Sequence, residues 1–262
     1  GGSTRQHTQE LVVRLREEAD MDAVPHLSCV GHSRREIEEI LEGYAEHGIS
    51  NILGIRGDAP KDQRPYDHAE DEFPYATEMV RFIREFNEAG RHPHPKGFGV
   101  LVAGFPEGHP ETPNRLIQLD HLKAKVEAGA DCVVSQMFFD NNAFFDWVER
   151  CRLAGINVPI VAGVMPITSL KGMKRMADLA AGTNFPAPLQ RMLYRCQDDA
   201  DSVRRVGIHW ATEQCRELID RGVDGIHFYT LNQSDATTLI YETLGARDST
   251  ALREPDSGLV SS

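Results

Sequence analysis

Four groups of residues in this 262-residue chain have types and spacings suited to chemistry. Arg56-Gly57-Asp58 closes an apolar run. Its glycine permits a tight turn, and its flanking charges face the same mouth that a parallel strand opens onto. An ordinary strand-terminal turn with a salt bridge would use the same residues, but a carboxylate at a strand's C-terminal end favours the ligand-facing reading. The segment GFPEGHPE at 104–111 holds two glycines, two prolines and a central His109. A rigid loop with exposed backbone N–H groups and a histidine suits a phosphate or pyrophosphate. A self-bonded structural turn is equally open. His121 and Lys125 stand four residues apart on the following helical stretch. They share a face there and could neutralise an anionic ligand, or could simply be solvated. Gln136 lies between Val134 and Phe138 in an apolar run. A buried amide must be satisfied, either by a planar ring that it reads or by a core partner.

Other chemistries lack support. The 11 histidines are dispersed, and His92 and His94 belong to a proline-bound surface turn, so metal binding fits poorly. No Ser-His-Asp or Cys-His arrangement stands out. The absence of G-x-G-x-x-G argues against a Rossmann dinucleotide site.

The elements that position these groups follow a simple alternation. Apolar runs at 24–29, 49–55, 97–103, 132–138, 158–164 and 225–231 each end in a polar or glycine cluster and lead into an amphipathic stretch. This alternation implies parallel strands with crossover helices. Helices are expected over 10–20, from Ser33 to Gly48, and over 75–88, 114–128, 169–181, 185–195, 198–221 and 234–244. Ser33 and Glu36 have the spacing of a capping box. Leu11, Val12 and Leu15 should share one face of the first helix, and Leu116, Leu119, Leu122 and Val126 should be buried on the fourth. The acidic, proline-containing stretch 59–74 should be a long loop, and 247–262 a polar tail. The fold class is α/β, a (β/α)8 TIM barrel of which about six βα units are visible. A closed barrel needs eight strands, and the chain starts at Gly1-Gly2-Ser3-Thr4, so about two units are expected to precede it. Residues 1–246 would form the barrel.

Bulk composition narrows the partners. There are 28 Lys plus Arg against 40 Asp plus Glu, for a formal charge of −12. Nucleic acid is therefore not expected as the main partner, because phosphate backbones need a basic face. No apolar stretch approaches the roughly 20 residues of a membrane span. Five cysteines with no C-x-x-C spacing read as reduced thiols of a cytoplasmic protein.

Taken in order, PHLSC at 25–29, ILGIRGDAP at 52–60, GFPEGHPE, LKAKVEAGAD at 122–131, SQMFFD at 135–140 and HFYTLN at 227–232 resemble 5,10-methylenetetrahydrofolate reductase of the bacterial type. The resemblance runs from about residue 1 to 244, and residues 1–4 look like that family's loop after its second strand. It implies a flavin-dependent (β/α) barrel. FAD would take hydride from NAD(P)H and reduce 5,10-methylenetetrahydrofolate to 5-methyltetrahydrofolate, in one-carbon and methionine metabolism. It implies that His26, Arg56, Gly57, Asp58, Ala103, Phe105, His109, His121 and Lys125 lie at flavin-contacting positions. It also implies that Asp58 and Gln136 hold the pterin and carry the catalytic roles, with Asp58 a buried carboxylate near the flavin. Gln233 falls where a contact to the folate's glutamate tail is made. The expected partners are folate and NAD(P)H, with the protein as a homo-oligomer.

Several positions depart from that pattern. The family's general acid, a glutamate on its first strand, has no counterpart in this sequence. Phe105 stands where a tyrosine is common, Gln118 where an aspartate is, and Gln233 where a basic residue is. Gly172 and Met176 stand where some members have glutamine and phenylalanine near the nicotinamide. A non-catalytic flavin- or folate-binding homologue or subunit, or a phosphate-binding barrel lyase or transferase, would fit the same residues.

Overall fold

A computed structural model describes residues 2–19, 21–58, 66–180 and 182–245. Part of the acidic loop, at 59–65, and the tail at 247–262 lie outside these residues.

The elements run α1 (Gly2–Ala19), β1 (His26–Ser28), α2 (Arg34–Glu46), β2 (Asn51–Ile55), α3 (Ala76–Glu88), β3 (Gly99–Gly104), α4 (Arg115–Glu127) and β4 (Cys132–Met137). Then come α5 (Asn141–Leu153), β5 (Ile160–Val164), α6 (Leu170–Leu179), α7 (Ala187–Arg195), α8 (Ala200–Asp220), β6 (Gly225–Phe228) and α9 (Asp235–Thr243). A short 3₁₀ turn spans His68–Glu70. The six strands lie in one sheet in chain order. Strand, helix and next strand in turn is the succession of a (β/α) barrel wall.

Among the described residues two compact units can be separated. One holds the chain up to Gln136 together with Asp146–Val161. In it β1, β2, β3 and β4 pair in parallel, with His26 opposite Leu53, Asn51 opposite Gly99 and Leu101 opposite Cys132. Its helices contribute Ile37, Leu41, Met79, Val80 and Ile83, all fully buried, and its strands contribute Ile52, Val100, Val102 and Val133. Continuous burial of this kind is expected of strands in a covered parallel sheet. The capping box at Ser33 and Glu36 is formed in both directions, and Asn114 caps α4 through Leu116 and Ile117. These caps satisfy backbone donors that a helix start leaves open.

The other unit holds Met137–Phe145 together with residues from Ala162 onward. Phe139, Ile167, Leu189, Leu193 and Val203 form one buried cluster there. Gly207 lets α8 approach the loop after β5 closely: a Cβ at this position would lie 1.7 Å from the Ile167 carbonyl oxygen. Trp210 Nε1 donates to Phe139 O at 3.1 Å and Gln214 Nε2 to Phe138 O at 2.9 Å.

Five expectations need correction. Residues 2–4, expected in a loop, are helical, because the helix of 10–20 propagates backward to Gly2. Leu11 is exposed, so α1 buries Val12 alone of the expected face, with Leu15 half-buried. Leu116 is 70% exposed, since it sits in the first turn of α4 and only Leu122 of its stripe is fully covered. His92 is not on the surface: its Nε2 bonds Ile49 O at 3.0 Å and it is buried against Phe98. The last strand stops at Phe228, short of the expected 231, and Leu231 and Asn232 adopt positive φ angles of 50° and 61°, outside the extended region.

No helix among the described residues is long and apolar enough to cross a membrane. The five cysteines are free thiols. Burial pushes Cys29 and Cys215 up to about 12 and Cys151 up to about 11, which makes them poor nucleophiles.

Candidate active site

The first expected group forms at the end of β2. Val30 N–H donates to Arg56 O at 3.0 Å, which fixes the backbone where the strand gives way to loop. Gly57 follows with φ +86°, and a Cβ there would lie 2.7 Å from Val30 Cγ1. Only glycine meets both conditions without displacing β1's continuation. The Arg56 side chain reaches Glu111 of the GFPEGHPE loop, Nη2 to Oε2 at 2.5 Å. This contact ties the ends of β2 and β3 together.

The GFPEGHPE loop is held from within. Gly104 ends β3 against Trp147 and Val133, and a Cβ on it would come within 2.6 Å of the Trp147 ring. Gly108 takes φ +102°. Phe105 and His109 meet edge to face at 4.8 Å. Thr112 N–H donates to His109 O at 3.0 Å. Gln118 Nε2 donates to His109 O at 3.3 Å and also to Thr112 O. Glu111 N–H donates to His109 Nδ1 at 3.2 Å. The self-bonded turn is therefore real, but it uses only Nδ1. With Nδ1 accepting, a neutral ring carries its proton on Nε2, and Nε2 has no partner among the described residues.

Charge converges on this histidine. Burial lowers its pKa first; Glu111 and Asp58 oppose that effect, while Arg56 and Lys125 add to it. Arg56, Asp58, His109, Glu111 and Lys125 are thus near neighbours in space. Lys125 Nζ donates to Ala103 O at 2.5 Å, and burial pushes its pKa down to about 8. No carboxylate pairs with it among the described residues. The Arg56 guanidinium beside Glu111 holds that carboxyl below its usual range.

The remaining expected residues are placed as follows. Asp58 is exposed rather than buried, because it follows Gly57 out of the strand. His121 is exposed on α4, while Lys125, one turn on along the same side of the helix, is half-buried and reaches the Ala103 carbonyl. His26 is exposed on β1. Gln136 is half-buried in β4 between buried Ser135 and Met137. Gln233, in the other unit, is exposed and lines a cavity with Arg204.

Sequence reasoning gave no role to Glu111, which stands 55 residues from its Arg56 partner. Gln118 looked like a lost cofactor contact but braces the loop. His68, held by Asp71 at 3.2 Å, contributes to lowering Glu111 and so belongs to the same neighbourhood. No local pattern announces any of these roles, since each depends on a loop partner.

The methylenetetrahydrofolate reductase family model matches residues 1–245. Methylenetetrahydrofolate reductase (NADH) 1 of Arabidopsis thaliana is 37% identical over 257 residues, covering 95% of this chain and 42% of that protein. The 5,10-methylenetetrahydrofolate reductase of Escherichia coli (strain K12) is 32% identical over 243 residues, covering 93% of this chain and 77% of that protein. The chain spans about two fifths of the length of the plant and fission-yeast relatives it matches. Among solved structures, an uncharacterized protein from Clostridium thermocellum that binds two copies of 5-methyl-5,6,7,8-tetrahydrofolic acid shares the fold. Its TM-score is 0.57 at 13% identity, over 88% of this chain and 77% of that one. This chain belongs to the methylenetetrahydrofolate reductase family.

Proposed function

We propose that this chain is the flavin- and folate-binding barrel of an oxidoreductase that reduces 5,10-methylenetetrahydrofolate to 5-methyltetrahydrofolate, with hydride from NADH or NADPH passing through FAD. The observation that carries this reading is Lys125, a desolvated cation with no carboxylate partner among the described residues. Such a cation is costly unless an anion joins it. The diphosphate of FAD is an anion of the right kind. The donor set around it fits: Lys125, the Nε2–H of neutral His109, and Arg56. When bound, FAD would supply hydride acceptance and donation.

The chain's own residues bind, orient and screen. Lys125 and His109 would hold the phosphate and ribose portion. The Arg56–Glu111 tie and the Gln118 brace keep the loop closed, which limits water at the strand ends. Gln136 offers both a donor and an acceptor, so its amide can read the edge of a pterin ring. Asp58 is acceptor-only when ionised and suits the pterin's N–H groups. The relative that binds 5-methyl-5,6,7,8-tetrahydrofolic acid supports a folate on this fold. We further propose a cytoplasmic homo-oligomer.

A visible absorbance scan of the purified protein tests the cofactor reading. Bound FAD absorbs blue light and gives a resolved flavin spectrum. A colourless protein that gains no flavin on incubation with FAD contradicts it.

A further inference from the structure

The last turn of α4 is locked from outside the helix. Gly129 N–H donates to Val126 O at 2.9 Å and Ala130 N–H to Lys125 O at 3.1 Å. These two bonds form a Schellman cap, in which Gly129 takes φ +115°. Arg84 on α3 lies across the cap. Its Nε donates to Gly129 O at 2.8 Å, and its Nη2 donates to Gly129 O and to Asp131 Oδ2, the latter at 2.5 Å. Its Nη1 reaches Phe98 O at 3.4 Å. Asp131 Oδ2 also accepts from Val100 N–H at 2.7 Å. One guanidinium fork therefore ties α3, the start of β3, the end of α4 and the start of β4. A Cβ at Gly129 would lie 2.8 Å from Arg84 Cγ and Nε, so the side chain packs directly against the cap.

The residue gripped by the cap is Lys125 itself. Its carbonyl takes the Ala130 bond while its side chain reaches Ala103 O at 2.5 Å. Helix ends fray, and a desolvated cation gains by returning to water. Without a lock, the last turn opens more easily and frees Lys125 before any ligand arrives. We infer that Arg84 is a positioning residue for Lys125: by closing the α4 cap it holds the ammonium where the diphosphate of FAD would meet it. This inference rests on the proposed FAD site. Holding a binding group in its bound place raises affinity without a new contact. Arg152 supplies the contrast. It donates to Ile156 O at 2.8 Å and Val158 O at 2.7 Å across an α5 cap of the same kind, in which Ile156 N–H donates to Cys151 O at 2.9 Å. None of the site residues lies on that turn.

Two measurements test it. Acetic anhydride labelling of the ligand-free protein, read by mass spectrometry, compares Lys125 with exposed Lys174. FAD titration followed by fluorescence quenching gives the dissociation constant. Both are made on the wild type, Arg84→Gln, Arg84→Lys, Asp131→Asn and Arg152→Gln, with circular dichroism confirming the fold. We expect Lys125 to label several-fold faster in Arg84→Gln. FAD should bind about tenfold more weakly there, the cost of ordering one long side chain on binding. Arg84→Lys should recover part of both losses, because it keeps the charge but not the fork. Asp131→Asn, a milder change, should move both readings in the same direction as Arg84→Gln. If Arg84→Gln does not fold, Arg84→Lys and Asp131→Asn carry the same comparison. Arg152→Gln should lose stability as Arg84→Gln does, yet leave both readings at the wild-type value. In a Lys125→Met background, Arg84→Gln should weaken FAD no further, since it acts through the lysine. The inference is overturned if Arg84→Gln labels Lys125 at the wild-type rate, or if it binds FAD as tightly as a wild type that takes FAD up. It is also overturned if Arg152→Gln changes both readings as much, or if the Arg84 and Lys125 losses add in the double variant. Faster labelling of Lys125 in Arg84→Gln, in a protein that takes up no FAD in any form, would keep the hold on Lys125 and remove the proposed function.

Discussion

Arg56 at the end of β2 and Glu111 in the loop after β3 meet at 2.5 Å, Nη2 to Oε2. The pair joins two strand ends that the sequence separates by 55 positions. Glu111 is 61% exposed, so the pair adds little to global stability, about 1 kcal/mol at most. Its effect is to hold the GFPEGHPE loop over the site. Glu111→Gln should therefore leave the melting temperature within about 3 °C of the wild type. It should weaken FAD several-fold, as followed by fluorescence quenching. An unchanged FAD dissociation constant would show that the loop needs no such tie.

Lys125 gives the site a pH dependence with a definite sign. Its pKa falls from 10.5 in the unfolded chain to about 8 in the folded one. Between these values the unfolded state binds more protons, so stability of the ligand-free protein should rise with pH from about 8 to 10.5. FAD affinity should move the opposite way, falling as pH passes about 8 and the cation is lost. Denaturant melts and FAD titrations across this range read both trends. Lys125→Glu should bind FAD much more weakly at neutral pH, and Lys125→Met should lose the pH trend.

Gly104 is where the site depends on packing. A Cβ there meets Trp147 and Val133 at 2.6 and 2.7 Å. Neither neighbour has room to retreat, because Trp147 and Val133 are themselves buried. Gly104→Ala should cost about 2 kcal/mol in urea unfolding, as overpacking does. It should also shift the loop that begins at Phe105, so FAD should bind less tightly. A fully stable variant would contradict the placement of the ring.

The two polar residues assigned to the pterin can be separated kinetically. Gln136→Ala should slow oxidation of the reduced flavin by methylenetetrahydrofolate while sparing its reduction by NADH or NADPH. Asp58→Asn keeps the shape and removes the charge. Because Asp58 is exposed, its effect on FAD affinity should be less than that of Lys125→Glu. Stopped-flow spectra of the two half-reactions measure these effects. Equal loss in both for Gln136→Ala would remove it from the pterin.

The fold was legible in sequence wherever local rules suffice. The Ser33–Glu36 box and the apolar runs of the six strands depend on neighbours within a few residues, and both are present. The site was legible in part. Its residues sit at strand ends as the alternation requires, but their pairings do not follow from it. Helical spacing suggested that His121 and Lys125 act together. The spacing does place them on one side of α4, but it does not tell that His121 is exposed while Lys125 reaches the Ala103 carbonyl. Asp58 looked buried because its strand is, but the turn at Gly57 carries it outward. The Arg56–Glu111 contact and the Gln118 brace join loops, and loop geometry leaves no periodic trace.

The proposed reaction is reduction of methylenetetrahydrofolate through a flavin bound at the ends of these strands. Anaerobic mixing of the photoreduced, FAD-loaded protein with 5,10-methylenetetrahydrofolate tests it most directly. The flavin's blue absorbance should return as 5-methyltetrahydrofolate forms in equal amount. A protein that holds FAD, yet whose reduced flavin is not reoxidised by the folate, would contradict it.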